Sequence, residues 1–252
     1  RQTTVTQHLE NGQTRTQSET YDALGQPIGS VDAALRTSIS KFDALGRLVH
    51  HTDPMGNITY QTWNAHDQLQ TVKDAKGDEH QFTYDKAGQL IKETRPLGGE
   101  TLDQYDAAGQ LVQRTDAGGN IRAYSYDSAG RLVREEHKIS GTGLDQRVTY
   151  QYDAAGQLSA YEQKDGSGVL ISSAMYTQDA RGRVTQSAIT YGRADAVEGN
   201  SSSLIFTVGQ DFNADGQLKS HTYPDGSESG YTYENGLLDK VILPNMSSIT
   251  YG

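Results

Sequence analysis

The sequence predicts an all-β chain of repetitive antiparallel β-hairpins forming a long curved or spiralling sheet. Three observations predict it. A motif beginning Tyr-Asp returns with a 21-residue period at Tyr84, Tyr105 and Tyr126. A second turn signal falls inside each period, at Asp53, Asp74, Arg95 and Asp116. Only 34% of the 252 residues are apolar, against roughly 45–50% in an ordinary globular domain, so material for a thick core is short.

Composition narrows the class further. The net charge of -10 is small for the length and 15 tyrosines are spread along the chain, so disorder is not expected. The acidic balance argues against a nucleic-acid surface, which would show a basic stripe. No apolar run approaches the ~20 residues of a membrane-spanning helix. There is no cysteine, which excludes disulfides and thiolate metal sites. The chain opens "RQTTVTQ" and ends "SSITYG"; both ends are expected to continue into a longer protein.

The elements follow in order. The motif begins at Tyr21 ("YDALGQPI"), Phe42 ("FDALGRLV"), Trp63 ("WNAHDQLQ") and Tyr84 ("YDKAGQLI"). It continues at Tyr105 ("YDAAGQLV"), Tyr126 ("YDSAGRLV") and Tyr152 ("YDAAGQLS"). Weaker copies begin at Gln178, Phe212 and Tyr233. The repeat region therefore runs over 1–252 as about ten repeats of 21 residues, with insertions near 138–146, 164–173 and 189–203. These insertions are expected to protrude as longer loops or hairpins without disturbing the ladder, because doubling a loop costs only ~0.6 kcal/mol.

A turn about every ten residues leaves room for roughly 5–7-residue strands. Tyr, Thr, Val and Ile enrich the intervening segments, as strands prefer, and none shows a sustained helical period. The Asp opening each turn accepts from backbone amides ahead of it. The Gly three residues later enters the left-handed region. The repeat slots are thus Tyr84, Asp85, Gly88 and Leu90; Tyr105, Asp106, Gly109 and Leu111; Tyr126, Asp127, Gly130 and Leu132; and Tyr152, Asp153, Gly156 and Leu158. In each, the Tyr and the Leu face each other across the hairpin as a packed pair. About twenty strands at ~4.8 Å would span on the order of 95 Å. A twisted sheet that wide curls rather than staying open.

The same slots argue against chemistry. Asp22, Asp43, Asp85, Asp106, Asp127 and Asp153 share one turn position, whereas catalytic carboxylate pairs need unlike surroundings. His8, His50, His51, His66, His80, His137 and His221 show no local ligand spacing. "GSESG" at 226–230 centres on Glu228, so it is no nucleophile elbow. The Asp-x-x-Gly-Asn turns lack the alternating oxygen ligands of a calcium loop. Catalytic, cofactor-binding and metal residues are accordingly read as none.

The string Tyr-Asp-x-x-Gly-Gln/Arg-Leu at this period, alternating with Asp-x-x-Gly-Asn, resembles the YD repeat of RHS-repeat proteins. That family includes bacterial polymorphic toxins, C subunits of insecticidal toxin complexes, cell-wall-associated proteins and teneurins. The resemblance runs from about Asn11 to Gly252 and is densest over Tyr84–Leu158. It implies a β-sheet spiralling into a hollow shell, secreted or at the cell surface. In the bacterial toxins the shell encloses a C-terminal toxic domain. The partners it implies are a C-terminal toxin or effector domain of the same polypeptide, or adjoining shell repeats. Bacterial shells of this family end in a self-cleaving aspartyl core; "DPMG" at 53–56 is superficially similar but sits where other periods carry "DAKG" and "DAGG", and reads as a turn. The expected role is a non-catalytic shell segment, with no enzyme activity. The alternative is a carbohydrate or cell-surface binding module, its tyrosines stacking on glycans.

Overall fold

The computed structural model describes residues 1–8, 14–192, 203–245 and 247–251. Among these there are twenty-two strands and no helix. The chain forms two compact units, Arg1–Gly118 and Gly119–Gly252.

The first unit holds β1 (Gln2–His8), β2 (Thr14–Tyr21), β3 (Pro27–Val31), β4 (Thr37–Phe42), β5 (Leu48–Thr52) and β6 (Ile58–Trp63). It continues with β7 (Leu69–Lys73), β8 (Glu79–Tyr84), β9 (Leu90–Thr94), β10 (Glu100–Tyr105) and β11 (Leu111–Thr115). Each strand pairs antiparallel with the next. The second unit holds β12 (Ile121–Tyr126), β13 (Leu132–Ile139), β14 (Gly143–Tyr152), β15 (Leu158–Asp165), β16 (Leu170–Gln178) and β17 (Val184–Tyr191). It ends with β18 (Leu204–Phe212), β19 (Leu218–Thr222), β20 (Glu228–Glu234), β21 (Leu237–Ile242) and β22 (Ser248–Thr250). Among the described residues these too pair with their sequence neighbours, all antiparallel.

Most turns are one piece of backbone chemistry used repeatedly. Asp85 N–H donates to the Gln89 carbonyl at 2.9 Å, and Gly88 N–H donates to the Asp85 carbonyl at 3.1 Å. The Asp85 Oδ1 accepts from the amides of Ala87 at 2.9 Å and Gln89 at 2.8 Å. Gly88 sits at φ 86°, a region that costs a side-chain-bearing residue ~1–2 kcal/mol. The slot tolerates exceptions: Leu35 at φ 62° and Asp67 at φ 61° occupy it without glycine. The copy beginning at Tyr233 closes differently. Asn235 (φ 50°) and Gly236 (φ 81°) form a two-residue hairpin turn between Glu234 and Leu237, the connection that Asn-Gly favours.

The longer periods are built as longer strands. The 138–146 segment is a hairpin end, with β13 running through Ile139 and β14 starting at Gly143. The 164–173 segment is another, between Asp165 and Leu170. Of 189–203, Tyr191 ends a strand and the next begins at Leu204, while 193–202 lie outside the described residues.

Very little is fully covered. Among the described residues Ala174 is the only buried apolar side chain; Asp103, Ser172 and Ser229 are buried polar ones. Most strand residues are half-buried or exposed. The ladder and the cross-strand pairs therefore carry the burden that a core carries in a globule.

Candidate functional site

The repeated slots converge along the end of each unit where the motif turns lie. At all ten motif copies the strand register shifts by one residue just before the aromatic slot. In the copy at 84, Thr83 faces Lys92 but Tyr84 faces Leu90, so Ile91 is bulged out of the count. Tyr105 likewise faces Leu111, Tyr126 faces Leu132 and Tyr152 faces Leu158. Gly109, Gly130 and Gly156 sit at φ 83°, 79° and 84°. Asp106 and Asp153 accept from two turn amides each, as Asp85 does. Asp127 accepts from the amides of Ala129 and Arg131.

The aromatic slot also reaches out of its own hairpin. Tyr84 Oη donates to the Leu69 carbonyl at 2.9 Å, and Tyr105 Oη to the Leu90 carbonyl at 3.0 Å. Where the slot is tryptophan, Trp63 Nε1 donates to Leu48 at 2.8 Å. In the longer periods Tyr152 Oη reaches Leu132 at 2.7 Å, and Gln178 Nε2 reaches Leu158 at 2.9 Å. The geometry has one cause. Pairing between β9 and β10 stops at Lys92 and Leu102, so Leu90 lies two residues past the last pair. A carbonyl left out of a ladder needs a partner, and the next period's ring supplies it. The sequence displays the rings; it does not display which carbonyl is left over.

The residue after the turn glycine is a second link, in two chemistries. As glutamine it bonds to the following turn: Gln68 Nε2 to the Gly88 carbonyl at 2.8 Å, Gln89 Nε2 to Gly109 at 3.0 Å, and Gln217 Nε2 to Gly236 at 3.0 Å. As arginine it forks onto its own turn aspartate, in the pairs Arg47–Asp43, Arg131–Asp127 and Arg183–Asp179. Its guanidinium then lies over the next period's ring: Arg47 at 6.0 Å from Trp63, Arg131 at 4.7 Å from Tyr152 and Arg183 at 4.3 Å from Phe212. Such contacts are attractive through the ring quadrupole. The Arg47 side-chain hydrogen bond holds the Asp43 carboxyl below its usual range, as that of Arg183 does for Asp179. For Asp127 the main cause is the backbone amide of Arg131.

The chemistry of this edge is that of a fastener. Its carboxylates accept from turn amides, and its rings and amides hold neighbouring periods. An open cleft of about 550 Å³ lies between consecutive turns, bordered by Asn64, Gln68, Phe82, Tyr84 and Asp85. Three of the histidines lie in separate cross-strand contacts. His51 Nδ1 lies 3.1 Å from Ser40 Oγ, His80 pairs with Glu93 at 3.5 Å, and His137 pairs with Asp145 at 3.2 Å. Among the described residues no group of three or more His, Cys, Asp or Glu could hold a metal ion. Among them, too, no helix is long and apolar enough to cross a membrane.

One buried carboxylate with a half-exposed arginine partner is not visible in the sequence pattern. Asp103, only 7% exposed, takes a two-pronged bond from Arg114, at 2.7 and 2.6 Å. The two lie 11 residues apart on adjacent strands, outside the repeated slots.

A family model described as RHS Repeat matches residues 42–79, 63–100 and 105–142. Among solved structures, the chain is similar to the crystal structure of TcdB2-TccC3 without hypervariable C-terminal region, with a TM-score of 0.66 and 16% identity over 96% of this chain and 15% of that chain. It is also similar to TcdB2-TccC3-TEV, with a TM-score of 0.54 and 16% identity over 92% of this chain and 16% of that one. The chain thus spans about 15% of the length of these structures, and the likeness is one of fold. No curated protein sequence matches it.

Proposed function

We propose that this chain, whose residues 42–100 and 105–142 match the RHS Repeat model, is a non-catalytic wall segment, part of a shell that encloses or presents a C-terminal toxin or effector domain of the same polypeptide. Adjoining shell repeats are its other partners, and its setting is secreted or cell-surface. One observation carries the reading: the recurring side chains are engaged in joining one period to the next. The Tyr84, Tyr105 and Tyr152 hydroxyls bond to backbone carbonyls of the preceding period. Gln68 and Gln89 bond to the following one. A surface that repeats the same internal bond is selected for extent, not for a local reaction. The engagement of these tyrosines favours a structural role over sugar stacking.

A wall of this kind acts by confinement, keeping a passenger polypeptide from protease. The test is limited proteolysis of the parent protein with its C-terminal domain attached, against the isolated domain. Slower cleavage of the attached domain, on the order of tenfold or more where cleavage follows the population of an open form, is the expected result. Equal rates end the containment reading.

A further inference from the structure

One face of the second unit departs from the acidic character of the chain. Side chains directly paired across antiparallel strands share a face. Glu136 pairs with Arg147, and Arg147 with Lys164. Arg134 pairs with Thr149, and Thr149 with Glu162. Lys138 follows Glu136 by two residues along β13 and pairs with Leu144. One face of β13, β14 and β15 therefore carries Arg134, Lys138, Arg147 and Lys164 against Glu136 and Glu162, four cations to two carboxylates. The reverse face of the same region carries Arg122 against Glu135 and Asp145, with His137.

The carboxylates are already occupied. Glu136 is 13% exposed and takes three cations: Arg147 Nε at 2.9 Å, Lys138 Nζ at 3.4 Å, and Arg134. Glu162 pairs with Lys164 at 2.7 Å. The four cations remain 40–44% exposed, and Arg134 Nε is buried without a partner. Positive charge is in surplus here, in a chain whose net charge is -10. On the same face of the neighbouring strands, Met175 (69%) and Ile205 (65%) stand exposed.

We infer that this face of β13–β15 docks an extended acidic polypeptide segment with interspersed apolar side chains. The spacing fits such a segment. Arg134 and Lys138, four residues apart on β13, stand ~13.6 Å apart along the strand, two of the ~6.8 Å repeats at which an extended peptide presents side chains on one side. Met175 and Ile205 then receive its apolar side chains. A nucleic acid would need a continuous basic stripe, and Glu136 and Glu162 interrupt this one. An anionic lipid surface would call for a larger basic cluster without carboxylates in its midst. This inference goes beyond the wall reading and does not depend on containment.

The test titrates the whole chain into a fluorescein-labelled peptide built from glutamate, serine and leucine, by fluorescence anisotropy, with a glutamine-for-glutamate peptide as control. Lys164→Gln and Arg147→Gln should each weaken binding about two- to fivefold, and both together about the product. Arg122→Gln on the reverse face should leave binding unchanged. Raising salt past ~0.3 M, where screening is strong, should weaken the wild-type complex. Lys164→Gln leaves all three partners of Glu136 in place, so it carries the test if the Arg147 variant does not fold. No binding of the acidic peptide, equal binding of the glutamine peptide, or equal loss with Arg122→Gln would overturn the inference. So would tighter binding of a single-stranded oligonucleotide or of phosphatidylserine vesicles.

Discussion

The motif turns and the turns between them close the same hairpin in different company. At Asp53 the turn bonds match those at Asp85: amide to Asn57 at 2.9 Å, Gly56 to Asp53 at 3.0 Å, and Oδ1 accepting from Met55 and Asn57. Beyond the turn the two part. Thr52 pairs with Ile58 and the ladder runs on without a shift, whereas the motif turn shifts register at once. No neighbouring side chain comes within 4 Å of a Cβ built on Gly56. At Gly109 the Gln89 amide lies 3.3 Å away. Turn chemistry is therefore local and shared, while the repeated attachment to the next period belongs to the motif end; among the turns between, Asn120 Oδ1 accepts from the Ser140 amide at 3.1 Å.

The largest break in that comparison lies in a long hairpin. Gly166, in a turn of the second kind, would place a Cβ 1.9 Å from the Leu144 carbonyl oxygen. Backbone cannot swing aside, so Gly166→Ala is expected to cost about 3 kcal/mol, as severe overpacking does. A melting temperature within a degree of wild type would show that this end of the hairpin yields freely. Next comes Gly109→Val against Gly98→Val. Both enter the left-handed region, at φ 83° and 81°, for ~1–2 kcal/mol. Gly98 has nothing within 4 Å, so urea midpoints should separate the two, with Gly109→Val the less stable. Equal midpoints would mean the Gln89 contact carries no weight.

Tyr84→Phe probes the fastener itself. It leaves the Leu69 carbonyl without its donor, at ~1–1.5 kcal/mol for a typical hydrogen bond, while Tyr60→Phe, on an exposed ring, should be neutral. If both variants melt alike, the cross-period bond is ornamental. Leu35→Gly runs in the opposite direction. Leu35 is 79% exposed at φ 62°, and glycine there relieves strain of about 1 kcal/mol, so Tm should rise; a fall would refute the strain. The smallest effect is acid sensitivity. Asp43, Asp127 and Asp179 have lowered folded-state values, so their stabilisation is present above the unfolded carboxylate value of ~3.9 and is lost as pH falls through the folded one. Melting should be flat from neutral pH to about 5 and decline below about 4. Asp179→Asn should blunt that decline, and an unchanged acid limb would remove the arginine fork from the account.

Much of this was legible in the residues. Asp-x-x-Gly names a hairpin because one carboxylate saturates two amides and one glycine takes a left-handed backbone. Tyr84 and Leu90 were readable as facing partners. The bond from Tyr84 to Leu69 was not, because its acceptor is a carbonyl, and every residue has one. Only the point where ladder pairing stops decides which is free. Asp103 and Arg114 were hidden for another reason: they lie outside the period, and their meeting depends on a register that the bulge at Tyr105 resets. The strand-lengthening of 138–146 and 164–173 was half-visible, since extra length could be seen but not whether it would lie in the ladder.

The constant offset between donor and acceptor bears on how such a gene can change length. In a regular period each ring reaches a carbonyl 15 residues back, as Trp63, Tyr84 and Tyr105 do. Unequal recombination that removes or adds a whole period between equivalent slots leaves every surviving ring opposite an orphaned carbonyl. Removing half a period sets rings against carbonyls already engaged in the ladder. Length variation among descendants of such a chain is therefore expected in steps of whole periods, and the spare residues of 138–146 and 164–173 lengthen the strands at the end away from the seam.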